Sequence, residues 1–125
     1  MPKEEYIKLE LPLPISINKA YAWYRVRHKS NEYKQWIKQA ELEMLKQTRY
    51  TITWDNWLYV HYEFLMPCYY KNGKKKVVDV ANFEKVVSDF LTKNIEWFKD
   101  EHIKRILLSK TDSNENKVII LIKEI

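Results

Sequence analysis

The segment from Lys74 to Asp100 reads KKKVVDVANFEKVVSDFLTKNIEWFKD. It joins a run of lysines, the lone carboxylate of Asp79 after an extended run, and a stretch whose apolar side chains recur at helical spacing. This spacing predicts an amphipathic helix that is capped near Asn82 and packs its apolar stripe against the rest of the chain. The stripe consists of Phe83, Val86, Val87, Phe90 and Leu91.

The opposite side of the same helix is polar. At about 100° per residue, Asn82, Lys85 and Asp89 fall within an arc of roughly 60°. A second acidic site, Asp100 with Glu101, follows the helix at the turn into a later strand. The segment therefore places carboxylates before, on and after one helix, with a lysine among them.

Two stretches outside this segment have strand patterns. Tyr6–Leu13 alternates apolar and polar residues, which is typical of a strand with one buried face. Pro12 and Pro14 cannot donate to a ladder, so this strand should end about there. Trp57–Met66 is largely apolar on both faces, which predicts a central strand of the sheet.

The remaining elements complete a small sheet. Asn31–Gln47 predicts a helix, because Ser30 is a suitable N-cap and apolar residues recur at helical spacing. Ile103–Lys110 and Lys117–Lys123 predict two strands, and the polar turn between them favours a β-hairpin. The order strand, helix, strand, helix, strand, strand predicts a single α/β (α+β) domain over residues 1–125, with a mixed sheet of about four strands.

Composition narrows the class of protein. The chain has 125 residues, of which 46% are apolar and 31% charged, so it can bury one core and is not expected to be disordered. Its single cysteine, Cys68, excludes an internal disulfide and fits a reducing cytoplasm. The sequence has no apolar run of the roughly 20 residues that span a bilayer, so we expect no membrane association. The net charge of +5 favours a polyanionic partner.

Two basic regions are candidates for contact with DNA. One is a predicted loop after the first strand that mixes aromatic with basic residues, which suits stacking on a base beside a phosphate backbone. Composition leaves open whether its rings instead fold back on the core. The other is the loop Pro67–Lys76, where an Asn-Gly turn signal is surrounded by lysines. The candidate contacts are Asn18, Tyr21, Arg25 and Arg27 in the first region, and Lys71, Lys74, Lys75 and Lys76 in the second.

The acidic residues are candidates for metal binding. Mg²⁺ is usually held by one or two carboxylates together with waters and phosphate oxygens, so Asp79 and Asp100 beside lysines suit a Mg²⁺-dependent phosphodiesterase. Acidic residues at helix starts and turns are also common as capping or solvated groups. The residues alone leave both interpretations open.

Four separated blocks resemble the RusA-type Holliday junction resolvases. In that family the active-site pattern runs roughly D-x-D-N-x-x-K, then D-x-L, then D-D-x-x-I, after a proline-rich L-P-x-P-P-S-x-N stretch. The resemblance extends from about Leu9 to Lys123. The matching blocks here are LPLPISIN at 11–18, DVANFEK at 79–85, SDFL at 88–91 and KDEHI at 99–103.

The resemblance implies a homodimeric endonuclease of the bacterial or phage cytoplasm that makes paired nicks in four-way DNA junctions during recombination and repair. It implies Mg²⁺ as the cofactor, with Mn²⁺ as an alternative ion, and no small-molecule cofactor. By position, the resemblance implies that Asp79, Lys85 and Asp100 are the catalytic residues. The metal ligands are Asp79 and Asp100, with Asp89 as a further candidate, and Asn82 and Glu101 support them.

One position departs from the family pattern. Ala81 stands where the second aspartate of D-x-D is expected, so a carboxylate of the metal site is missing. Three explanations compete: Asp89, Glu84 or Glu101 replaces the missing ligand, or the chain binds junctions without cutting them, or Ala81 is an engineered inactivating substitution. The leading hypothesis is a junction-resolving nuclease, and the alternative is a non-catalytic junction-binding protein. A basic protein-interaction domain without a DNA role is a third hypothesis.

Overall fold

The computed structural model describes residues 6–16, 21–24, 26–47 and 57–125, and for residues 21–24 and 26–28 it describes the backbone only. Within these ranges the chain forms two helices, a four-stranded sheet and a two-stranded ribbon. The elements in chain order are β1 (Ile7–Pro12), β2 (Tyr21–Tyr24), β3 (Val26–Lys29), α1 (Asn31–Leu45), β4 (Leu58–Met66), α2 (Ala81–Asn94), β5 (Ile103–Asp112) and β6 (Lys117–Glu124).

This order confirms the predicted α+β class and the succession β-α-β-α-β-β around a mixed sheet of four strands. The ribbon β2–β3 adds to it within the segment that the sequence predicted to be a loop. In the ribbon, Tyr21 pairs with Lys29 and Trp23 with Arg27 in antiparallel register.

The sheet has the order β1-β6-β4-β5, in which only the pair β4–β5 is parallel. The predicted hairpin between the last two strands is therefore wrong, because β5 and β6 lie on opposite sides of β4. The connection through α2 is long enough to return the chain parallel to β4, as parallel pairing requires. β6 then pairs antiparallel with the other edge of β4, which makes β4 one of the two interior strands and confirms the prediction that it is a central strand.

One face of the sheet and both helices enclose the core. The five residues of the predicted α2 stripe are all buried. Trp36 of α1 meets Phe90 of α2 edge to face at 5.3 Å between ring centroids, so the two helices pack side by side on the same face. The strands contribute alternate residues to this core: Ile7, Leu9 and Leu11 from β1, Leu58, Val60, Tyr62 and Phe64 from β4, and Val118, Ile120 and Ile122 from β6.

Candidate active site

Asp79 closes the first turn of α2. Its Oδ1 accepts a hydrogen bond from the Ala81 N–H at 3.0 Å, and its carbonyl oxygen accepts one from the Asn82 N–H at 3.1 Å. The helix consequently begins at Ala81. Its cap residue is Val80, whose side chain makes no capping hydrogen bond, and the predicted cap near Asn82 lies inside the first turn. The positive end of the helix dipole also favours a carboxylate at this position. The Asp79 side chain is exposed.

Lys85 and Asp89 form an ion pair on the polar face of α2. Lys85 Nζ donates to Asp89 Oδ1 at 3.1 Å, and the two side chains are 58% and 32% exposed. Their i,i+4 spacing makes them neighbours on the helix surface. The hydrogen bond to Asp89 raises the pKa of Lys85, and the charges of Asp100 and Glu84 raise it further. The ammonium group therefore stays charged and lies in the field of three carboxylates.

Asp100 approaches this pair from outside the helix. It begins a one-turn 3₁₀ helix that ends at His102 and leads into β5. The Asp100 N–H donates to Thr92 Oγ1 at 3.3 Å, which holds Asp100 beside the last turn of α2. The tertiary structure thus brings Asp100 within electrostatic reach of the Lys85–Asp89 pair.

Asp79 lies at the other end of the same helix. At a helical rise of about 1.5 Å per residue, it is roughly 20 Å along the axis from Thr92, and hence from Asp100. Mg²⁺ binds its ligands at about 2.0–2.1 Å, so one ion cannot contact Asp79 and Asp100 of the same protomer. The sequence suggested these two carboxylates as partners, and α2 separates them within one chain.

The described acidic residues have the right ligand atoms for Mg²⁺, but their positions in one protomer do not form a binding site. Carboxylate oxygens are the protein ligands that this ion takes. Within the ranges that the structure describes, however, no three side chains of the types His, Cys, Asp and Glu are grouped so that they could hold a metal ion. The exposed Ala81 brings no further ligand at the helix start. A single protomer therefore does not fit the three-carboxylate site that the resemblance implies.

A hydrogen-bond chain that is buried at its Tyr62–Ser88 end lies beneath the polar face of α2. Ser88 Oγ donates to Glu84 Oε1 at 2.7 Å and lies 2.8 Å from the Tyr62 hydroxyl. A serine has one hydroxyl hydrogen and a carboxylate only accepts, so Tyr62 is the donor to Ser88. Burial raises the pKa of Tyr62, and the charges of Glu84, Asp100 and Asp89 raise it further, so the phenol stays neutral. This chain fixes the Glu84 side chain from the central strand.

The loop from Pro67 to Val78, here called the lysine loop, leads from β4 to α2. Its turn is closed by a hydrogen bond from the Gly73 N–H to the Tyr70 carbonyl at 2.9 Å, and Gly73 has a φ of 82°, which glycine adopts without strain. At the end of the loop, Lys110 Nζ donates to the Val78 carbonyl at 2.9 Å. The four predicted DNA-contacting lysines, Lys71, Lys74, Lys75 and Lys76, all lie on this loop, and the first three are exposed.

The other predicted DNA contacts are located only in part. Tyr21 begins β2 and Arg27 lies in β3, with backbone alone described, and Asn18 and Arg25 lie outside the described residues. Glu101, predicted to support the site, is exposed in the turn after Asp100.

Sequence reasoning missed the roles of Tyr62 and Ser88. Ser88 lies four residues after Glu84, the same spacing that joins Lys85 to Asp89, and this repeat of i,i+4 polar pairs was a usable signal. No local pattern connects either residue to Tyr62, which lies 26 positions before Ser88. The contact exists because α2 packs on β4.

The class of protein follows from these features. In a small basic α+β domain, one polar helix face carries carboxylates and a lysine, and an exposed lysine loop leads into the same helix. This arrangement suits phosphodiester chemistry on a polyanion. The family model described as Endodeoxyribonuclease RusA matches residues 14–123, and the chain therefore belongs to the RusA endodeoxyribonuclease family. Membership of this family supports the function of a nuclease that resolves Holliday junctions. Resolvase nucleases generally use divalent metal ions. No curated protein matches the chain significantly.

Neither helix among the described residues combines the length and the apolar character that a bilayer-crossing helix requires.

Proposed function

We propose that this chain is a divalent-metal-dependent endonuclease that cuts four-way DNA junctions by paired nicks in recombination and repair. The supporting observation is the Lys85–Asp89 pair on the polar face of α2, in the field of Asp100, in a chain of a DNA-cleaving family. The proposal includes a single domain over residues 1–125 and a cytoplasmic, bacterial or phage-encoded protein.

Lys85 is the proposed electrostatic catalyst. A charged ammonium group held at a fixed position stabilises the negative charge that develops on a phosphate oxygen during cleavage. Asp89 holds that group by the 3.1 Å hydrogen bond and keeps it protonated. Asn82, on the same face and nearer the helix start, and Glu101, beside Asp100, are proposed to orient these groups.

We propose that the chain works as a homodimer and that its metal sites are shared. Since α2 keeps Asp79 and Asp100 about 20 Å apart in one protomer, an ion bound by both needs Asp79 of one protomer and Asp100 of the partner subunit. A C₂ dimer has two such sites, and a junction of near-twofold symmetry has two strands to cut. When bound, Mg²⁺ or Mn²⁺ would activate water and polarise the phosphate. Asp89 is a further candidate ligand.

The lysines of the lysine loop are proposed to bind the DNA backbone. Lys71, Lys74 and Lys75 are exposed, and the loop leads directly to Asp79. Phosphate contacts of this kind set position and affinity without reading sequence. Asn18, Tyr21, Arg25 and Arg27 remain predicted contacts of the same type.

A specific observation favours the alternative function. Ala81 replaces a motif carboxylate, and in a single protomer the described residues hold no three-ligand metal site. A chain with the basic surface and without a complete metal site would bind junctions and leave them uncut.

Cleavage of a synthetic four-way junction distinguishes the nuclease from the non-catalytic junction-binding protein. The unchanged chain and Ala81→Asp are compared with Mg²⁺ and with Mn²⁺, and Ala81→Asn serves as the uncharged control. We expect Ala81→Asp to cut in symmetric pairs at least as fast as the unchanged chain. If neither protein cuts with either ion while both bind the junction in preference to duplex, the non-catalytic function replaces the enzymatic one. Equal, weak binding to junction and duplex would contradict both.

A further inference from the structure

The lysine loop presents two aromatic rings to solvent as well as its lysines. Tyr69 is 55% exposed and Tyr70 is 56% exposed, and the neighbouring Val77 is 88% exposed. Large apolar side chains exposed together on a loop often mark an interaction surface. The proposed phosphate contacts of this loop use only its ammonium groups and leave both rings without a role.

The loop is a short two-stranded structure with one ring on each face. Tyr69 pairs with Lys75 in an antiparallel bridge, and the Tyr70 N–H donates to the Lys74 carbonyl at 2.8 Å. Opposed residues of paired strands share a face, and successive residues alternate. Tyr69 therefore lies with Lys75 on one face and Tyr70 with Lys74 on the other. Lys76 Nζ is 5.3 Å from the Tyr70 ring centroid.

Hydrogen bonds hold the loop in this form before any partner binds. The Lys76 N–H donates to the Cys68 carbonyl at 2.8 Å, and the Cys68 N–H donates to Asp112 Oδ1 at the end of β5 at 2.9 Å. Asn72 Oδ1 accepts from the Lys74 N–H at 3.0 Å within the turn. Rings on an ordered loop lose little conformational freedom on binding, so the entropic cost that opposes their contacts is small.

We infer that Tyr69 and Tyr70 each offer a ring for base stacking, one on either face of the lysine loop, and that their partner is DNA with unstacked bases. Bases are unstacked in this way at the centre of an opened four-way junction. The inference rests on the proposed function. Aromatic rings stack on any nucleobase, and ammonium groups beside each ring hold the flanking phosphates. The bases of a continuous duplex are stacked on each other and offer no free face. The rings therefore favour the branched substrate, whereas the lysines bind both forms.

Binding measurements at several salt concentrations test this inference. Junction and duplex of the same arm sequence are titrated with the unchanged chain, Tyr69→Ala, Tyr70→Ala and the two Tyr→Phe variants, and the junction carries 2-aminopurine at the branch point. Tyr6→Ala is the matched control, since Tyr6 is 39% exposed with Lys123 Nζ at 5.1 Å from its ring centroid, but belongs to the opposite edge of the sheet. Lys74→Ala is the electrostatic control.

Each Tyr→Ala change should weaken junction binding on the order of tenfold, leave duplex binding unchanged and keep the slope of log K against log salt. Both Tyr→Phe variants should bind as the unchanged chain does and quench 2-aminopurine to the same extent. Lys74→Ala should instead weaken binding to both DNAs and reduce the slope by about one.

Two results would overturn the inference while the proposed function stands. In one, the unchanged chain prefers the junction and the Tyr→Ala variants match it in affinity and 2-aminopurine quenching. In the other, the Tyr→Ala variants lose duplex and junction binding equally. A different result, in which the unchanged chain shows no preference for the junction, overturns the proposed function itself and the inference with it.

Discussion

Asp79 and Asp100 flank α2, with the Asp79 carboxylate on the first helical N–H and the Asp100 N–H on Thr92 in the last turn. The 14-residue helix holds the two carboxylates apart in one protomer. An active site that uses both must draw on two protomers, and this requirement can be tested without knowing the dimer interface.

Complementation by mixed dimers tests the shared site. Asp79→Asn and Asp100→Asn, each inactive alone, should regain cleavage when mixed, because one of the two sites in a mixed dimer then has both carboxylates. The products should be single nicks rather than paired cuts. The measurement is junction cleavage by refolded mixtures, in the unchanged or the Ala81→Asp background, whichever cuts. No activity in any mixture would contradict a site that combines Asp79 of one protomer with Asp100 of the partner subunit.

Ala81→Asp should strengthen metal binding without a cost in stability. Ala81 is exposed in the first turn of α2, where a negative side chain gains about 0.3–1 kcal/mol from the helix dipole. Calorimetric titration with Mg²⁺ and urea unfolding should show tighter binding and an equal or higher free energy of unfolding. Ala81→Asn should leave metal binding at the level of the unchanged chain, and tighter binding by this variant would exclude the carboxylate as the cause.

Lys85→Gln should reduce cleavage on the order of 10²–10³-fold, because it removes the fixed charge that faces the phosphate. The free energy of unfolding should change by only about 0.3–0.5 kcal/mol, since the ion pair with Asp89 is an exposed i,i+4 pair. Single-turnover cleavage and urea unfolding provide the two values. Lys93→Gln, an exposed lysine in the last turn of the same helix, is the control and should cut normally. A comparable loss of cleavage in Lys93→Gln would mean that Lys85 contributes only to the overall positive charge of the helix and has no specific role at the phosphate.

Ser88→Ala should destabilise the fold more than Tyr62→Phe. Ser88→Ala leaves the buried Tyr62 hydroxyl without its partner, at a cost of about 1–3 kcal/mol, whereas Tyr62→Phe leaves Ser88 still bonded to Glu84 and costs about 1 kcal/mol. The double variant should cost less than the sum, as expected for residues in one network. Urea unfolding of the three variants measures this order, and strict additivity would contradict the hydrogen-bond chain.

Stability should fall as the pH rises above 10. Burial raises the pKa of Tyr62 above its ordinary value of 10.0, so the unfolded chain releases this proton first and its release favours unfolding. Above pH 10 this one group lowers the free energy of unfolding by about 1.4 kcal/mol per pH unit. The raised pKa of Lys85 acts in the same direction above 10.5. Tyr62→Phe should make the free energy of unfolding fall less steeply above pH 10. An unchanged decrease in this variant would mean that other groups cause it.

The sequence by itself determined the fold class, most of the elements and the polar face of α2. The period-two alternation of β1, the apolar character of both faces of β4 and the stripe from Phe83 to Leu91 are local patterns, and they determine which sides of these elements are buried. The same geometry places Lys85 next to Asp89. The four separated motif blocks were also sufficient, together, to identify the family that the match over residues 14–123 shows.

Only the tertiary structure decided which distant residues meet. Strand pairing depends on competition among edges across the whole sheet, so β5 and β6 flank β4 although they adjoin in sequence. The bond from Tyr62 to Ser88 exists because α2 docks on β4. Asp79 and Asp100 look like one pair in the sequence, and the rigid length of α2 between them separates the two within a protomer.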